Sequence, residues 1–224
     1  MANLFSTSIG KKVIMSLSGF FLMSFICVHL AINLCLLCGS DTYNMAAHFM
    51  ATNPIIGIIE PILGIGFLLH ILYSIFLTVK NYFARPVKYK MNKPDPISTW
   101  ASRNMIILGV LILTFLVIHI IDFYWKLRFG EVTEVIIDGI KMHDAYALVT
   151  GAFINLWWVD LIYIVGAIAL GFHLSHGFWS AFQTIGLDNK NWKPRLIFVA
   201  KIFSILIAAG YATIPIYFLL KFNI

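Results

Sequence analysis

The sequence predicts an all-α membrane protein: five transmembrane helices in a single domain, residues 1–224, with the N-terminus cytoplasmic. Three observations predict it. Of the 224 residues, 60% are hydrophobic and only 12% are charged, more apolar side chain than a soluble domain of this size can bury. Five stretches reach the roughly 20 residues that cross a bilayer as a helix: Val13–Leu37, Ile55–Val79, Met105–Trp125, Leu156–Phe182 and Leu196–Leu220. The basic residues are also unevenly placed. Twelve of the 16 lie in the N-terminus and the 80–103 and 184–201 connections, which share one side in a five-span chain. By the positive-inside rule that side is cytoplasmic. Asp41, Glu60, Glu131, Glu134, Asp138 and Asp144 fall on the other.

The first span follows Lys11 and Lys12, but its apolar run exceeds the 7–15 residues of a signal-peptide core, so it reads as a retained helix. Between the second and third spans, "KNYFARPVKYKMNKPDPISTWASR" carries three prolines and six basic residues, a composition for a docking loop. Residues 126–155 join the third and fourth spans on the opposite side. There Asp138-Gly139, between β-branched runs, predicts a hairpin with a tight turn. Ala145–Phe153 follows as a short interfacial helix, and the two together make a plausible lid. Cys35 and Cys38 have C-x-x-C spacing with no histidine after Cys38, so covalent haem attachment is excluded and small apolar filling is the reading. The net charge of +6 is a topology signal and does not point to nucleic acid.

Five of the seven histidines lie inside spans: His29, His70, His119, His173 and His176, on four successive helices. Ionisable groups at membrane depth are costly enough to mark function. At about 1.5 Å per residue, His29 lies roughly 25 Å and His119 roughly 24 Å from the cytoplasmic boundary. His70, His173 and His176 lie roughly 15–20 Å from it. The histidines thus sort into an outer pair, His29 with His119, and an inner pair, His70 with His173 or His176. A zinc or copper site gathers three or four ligands at one depth, and a di-iron site needs Glu-x-x-His motifs that are absent. Two haems b, each clamped between two imidazoles, match both the pairing and the layering. Bis-imidazole ligation leaves no open iron position, which predicts electron transfer. A histidine-lined proton channel or transporter is the non-haem alternative.

The ordered set "LSGFFLMSFICVHLAINL", "LLHILYSIFLTVKN" with "ARPVKY", "WASRNMIILGVLILTFLVIHI" and "GFHLSHGFWSAFQTIGL" resembles the single-subunit dihaem cytochrome b anchors of succinate dehydrogenases and quinol:fumarate reductases, in their Bacteroidetes-like form. The resemblance covers nearly the whole chain. It implies that four of the five helices form a haem-binding bundle. His29 and His119 would hold the outer haem, and His70 and His173 the inner one. His173 is preferred to His176 by the pattern Phe172-His173-x-x-x-Gly177. The implied partners are a flavoprotein with covalent FAD and an iron–sulfur protein on the cytoplasmic face of a bacterial inner membrane, with menaquinone as exchangeable substrate. Dicarboxylate chemistry would belong to the flavoprotein; this chain would be the quinone-reactive subunit. A cytochrome b serving a hydrogenase or formate dehydrogenase is the nearest alternative. Some fumarate reductase members place an intramembrane glutamate two residues before the fourth-helix ligand; here that position is Gly171.

A quinone site needs an apolar slot and a group that exchanges protons. Glu60, Asp122 and Asp160 lie toward the outer side and are the candidates, beside the alternative that they sit at helix ends in the interface. Trp157 and Trp158 read as interfacial belt. Ser16, Ser102 and Arg103 near the cytoplasmic boundary are candidates for inner-haem propionates, and Lys126 or Arg128 for outer ones.

Overall fold

The computed structural model describes residues 7–84 and 99–223. Five of its helices are long and apolar enough to cross a membrane, over Ile9–Cys38, Pro54–Phe83, Met105–Phe129, Trp157–Thr184 and Trp192–Phe222. The chain is therefore an all-α membrane protein with one small hairpin. The basic cluster Arg85, Lys88, Lys90 and Lys93 lies outside the described residues.

Helix α1 (Ser8–Leu34) begins where the Thr7 hydroxyl accepts the Gly10 amide at 3.0 Å. It ends in a tight 3₁₀ turn, Cys35–Cys38. The cysteines there are unbridged, and Leu36 between them is the buried side chain. Helix α2 (Ser40–Thr52) follows directly, where the sequence reading placed only a connection. Its 13 residues, "SDTYNMAAHFMAT", carry no long apolar run, so nothing in hydropathy announces it. Helix α3 (Pro54–Phe83) starts with Pro54 in its first turn and the Asn53 side chain accepting the Ile55 and Ile56 amides.

A four-residue helix, α4 (Trp100–Arg103), leads into α5 (Met105–His119). Immediately after His119 the helix widens into π-helical turns, Ile120–Trp125, and then closes as α6 (Lys126–Phe129). Such π turns cluster at functional sites. Strands β1 (Glu134–Ile137) and β2 (Ile140–His143) pair antiparallel. Their turn is Asp138-Gly139, with φ of 51° and 78°, the left-handed pair that a two-residue hairpin requires. Helix α7 (Ala145–Asn155) is capped by Asp144, whose carboxylate accepts the Ala147 amide.

Helices α8 (Trp157–Thr184) and α9 (Trp192–Phe218) form an antiparallel pair with the most extensive helix–helix contact in the protein. α8 is the central post. Residues buried inside the protein make up 39% of its most apolar window, against 6% for α3. It contacts α1, α4, α5, α7 and α9. At Gly171 an added Cβ would stand 2.7 Å from the Ala208 Cβ and 3.4 Å from the Ser204 carbonyl. A side chain there would force α8 and α9 to shift apart.

Three buried clusters lie along this post among the described residues, the smallest of them Ala101, Leu108 and Ala169. A second packs Met23, Leu174, Ala181 and Ile207 between α1, α8 and α9. The third, at the end opposite the N-terminus, gathers Leu36, Tyr43, Phe123, Val149, Phe153 and Phe218 beneath a cap of α2, the hairpin and α7. Asn44, 1% exposed, clasps the cap: it donates to the Asp144 carboxylate at 3.0 Å and accepts the Tyr146 amide at 2.8 Å.

Candidate functional site: two facing pairs of histidines

His29 on α1 and His119 at the end of α5 face each other with ring centroids 5.7 Å apart and planes at 90°. Phe25, one turn before His29, stacks on it at 5.1 Å, and Phe115, one turn before His119, stacks on it at 5.7 Å. The Tyr163 hydroxyl of α8 lies 3.3 Å from the His119 Nδ1. The Tyr163 ring sits against Phe115, Phe123 and Phe153. Gly166 makes room for this wall, because a Cβ there would stand 2.7 Å from Phe115.

His70 on α3 and His173 on α8 form a second facing pair, with centroids 6.3 Å apart and planes at 66°. The Ser18 hydroxyl of α1 lies 3.2 Å from the His70 Nδ1. His176 is turned toward Trp179, with centroids 5.4 Å apart. The Nδ1 atoms of His173 and His176 are buried without a hydrogen-bond partner.

The two pairs occupy different levels. On α1, His29 lies eleven residues beyond Ser18, which touches His70, or about 16 Å along the helix. On α8, Tyr163, which touches His119, precedes His173 by ten residues, or about 15 Å. The two helices give nearly the same separation. Among the described residues, no three His, Cys, Asp or Glu side chains converge as a metal site; the imidazoles meet in twos.

The three candidate acids part company. Glu60 on α3 accepts a hydrogen bond from the Tyr124 hydroxyl, a contact that joins α3 to the π turns beyond His119. Asp122 forms an ion pair with Lys126 at 3.7 Å. Asp160, in the first turn of α8, is fully buried at 0% exposure. Trp157 and Trp158 are exposed at the same helix start.

Ser16 donates to the Ala181 carbonyl at 2.7 Å and ties α1 to α8. Ser18, which sequence reasoning passed over, is the serine that reaches a histidine. Arg103 ends α4 at the opening of the third span, with Ser102 beside it donating its amide to Thr99. Tyr163 and Tyr124 were also missed, for tyrosines in apolar helices carry no signal until their hydroxyl partners are known. Lys126 and Arg128 lie on α6, beyond the π turns.

No protein-family model, curated protein or solved structure matches this chain.

Proposed function

We propose that this chain is the dihaem cytochrome b anchor of a succinate dehydrogenase or quinol:fumarate reductase, carrying electrons across a bacterial inner membrane between an iron–sulfur partner and menaquinone. The observation that carries this reading is the meeting of imidazoles in twos, one from each of four helices, at levels about 15 Å apart. Metal–imidazole bonds of about 2.0 Å put two facing ring centroids roughly 6 Å apart. The pairs stand at 5.7 and 6.3 Å. In each pair one ring has its Nδ1 beside a hydroxyl from another helix, the kind of support that orients a metal-bound histidine. The donor set therefore fits two haems b, His29 with His119 for the outer and His70 with His173 for the inner.

A haem held between two imidazoles supplies one-electron transfer and offers no open position to a substrate. The protein's part is to orient the rings and keep water away. Phe25, Phe115, Phe123 and Tyr163 wall the outer pair, and the capping core of Leu36, Phe153 and Phe218 lies beyond it. Glu60, ten residues before His70 and so at the outer level, accepts the Tyr124 hydroxyl and would be the group that takes a proton from a quinol arriving through the bilayer. The flavoprotein with covalent FAD and the iron–sulfur protein would dock on the N-terminal, basic side, as the family resemblance implies.

The test is haem content and a redox-titrated visible spectrum of the detergent-purified complex. Two low-spin haems b per chain with separable midpoints are expected. Absence of haem overturns the reading and returns the histidines to a proton path or transporter. Copurification with a covalently flavinylated subunit separates this anchor from the cytochrome b of another dehydrogenase.

A further inference from the structure

Ser18 is 9% exposed and sits where α1 packs on α3. Its hydroxyl has two contacts. It donates to the Met15 carbonyl at 2.9 Å, and it lies 3.2 Å from the His70 Nδ1. A serine hydroxyl has one proton and two lone pairs. When the proton points to Met15, the oxygen meets His70 as an acceptor, the arrangement in which His70 carries its proton on Nδ1. The lone pair is then left on Nε2. Gly19 lies beside it, and a Cβ there would make only ordinary contact with the His70 Cε1, at 3.8 Å.

We infer that Ser18 is a positioning residue: through its bond to Met15 it holds His70 in the Nδ1–H tautomer, presents Nε2 to the inner haem iron, and lowers that haem's midpoint. This rests on the dihaem reading. Accepting a hydrogen bond from Nδ1–H raises the basicity of the ligating nitrogen. A more basic ligand favours ferric over ferrous iron. One electron enters the haem on reduction while the Nδ1 proton stays on the ring, so the effect appears in the potential and not in proton uptake. The outer haem, about 16 Å along α1, does not feel it.

The experiment compares the wild-type complex with Ser18→Ala and Ser18→Thr by haem stoichiometry and spectroelectrochemical titration. In Ser18→Ala the inner midpoint should rise by about tenfold in the reduction equilibrium, roughly 59 mV for a one-electron couple, with the outer midpoint unmoved. Ser18→Thr, which keeps the hydroxyl, should restore the wild-type value. Loss of the inner haem in Ser18→Ala with retention in Ser18→Thr also supports the assignment, since removing such a support costs 10–100-fold in metal affinity. Unmoved midpoints with both haems present overturn it. Equal loss of the inner haem in both variants also overturns it, because packing and not the hydroxyl is then responsible. Haem-free wild-type protein instead overturns the dihaem reading itself.

Discussion

Gly171→Ala tests a close approach between α8 and α9. An added Cβ at this position would stand 2.7 Å from the Ala208 Cβ, where carbon atoms pack at about 3.5–4.0 Å. The α8–α9 pair must therefore open by about 1 Å, or one helix must rotate. Overpacking of this kind costs about 1–3 kcal/mol, offset by up to about 1 kcal/mol from alanine's better helix propensity. Removing the opposing methyl with Ala208→Gly relieves the contact and leaves only the Ser204 carbonyl at 3.4 Å. In a double-mutant cycle the propensity contributions cancel, so the coupling between the two sites should be about 1–3 kcal/mol in the rescuing direction. The assay is reversible unfolding of the full chain in mixed detergent micelles, followed by tryptophan fluorescence at matched haem occupancy. If the cycle shows no coupling between the two sites, so that Ala208→Gly fails to relieve Gly171→Ala, the close-approach argument is wrong.

Four further outcomes are expected. His29→Ala or His119→Ala should empty the outer haem and leave the inner one, read as half the haem with one surviving midpoint; loss of the same haem as in His70→Ala refutes the pairing. Glu60→Gln keeps the side chain's shape but cannot take a quinol proton, so menaquinol-driven haem reduction should slow at least tenfold while dithionite reduction is unchanged. Asn44→Ala removes the clasp between Asp144 and the Tyr146 amide, which should cost about 1–3 kcal/mol and speed amide exchange across residues 134–155. The Tyr43 phenol is pushed up from 10 to about 12, by burial first and the Cys35 thiol second. Its contribution is intact below pH 10, where both states keep the proton. Between 10 and 12 the unfolded chain releases the proton while the folded chain keeps it, so stability falls with rising pH by roughly 2–3 kcal/mol. Tyr43→Phe should flatten that slope in an alkaline unfolding series.

Span number and limits were legible in the sequence because a lipid-crossing helix must satisfy its backbone internally and cover itself with apolar side chains. Val13–Leu37 and its four counterparts fall inside the observed spanning helices to within a residue or two, and every observed span is longer. The hairpin was legible for a different reason: Asp138-Gly139 can take the positive φ values that a two-residue turn needs. Helix α2 was not legible. It folds because Tyr43 and Asn44 are buried against the cap, a contact with residues about a hundred positions away. The π turns after His119 were not legible either; within them Phe123 meets Phe153 and Tyr124 meets Glu60 on other elements.

The site divides along the same line. Rise per residue sorts the histidines by depth from sequence alone, because a membrane helix is a ruler with a known pitch. Which imidazoles face each other is another matter. His173 and His176 are three residues apart and share one face of α8, so the choice between them turns on how that helix is rotated. The close contacts at Gly171 and Gly166 set that rotation, bringing His173 to His70 and leaving His176 against Trp179. The hydroxyls of Ser18, Tyr163 and Tyr124 gain their partners only across helix interfaces. Hydropathy and spacing along one strand of chain thus determined how many helices are long and apolar enough to cross a membrane and how far along its helix each histidine lies. Only packing between helices decided which ring meets which, because that depends on rotation about the helix axis, and among residues apolar on every side hydropathy carries no record of it.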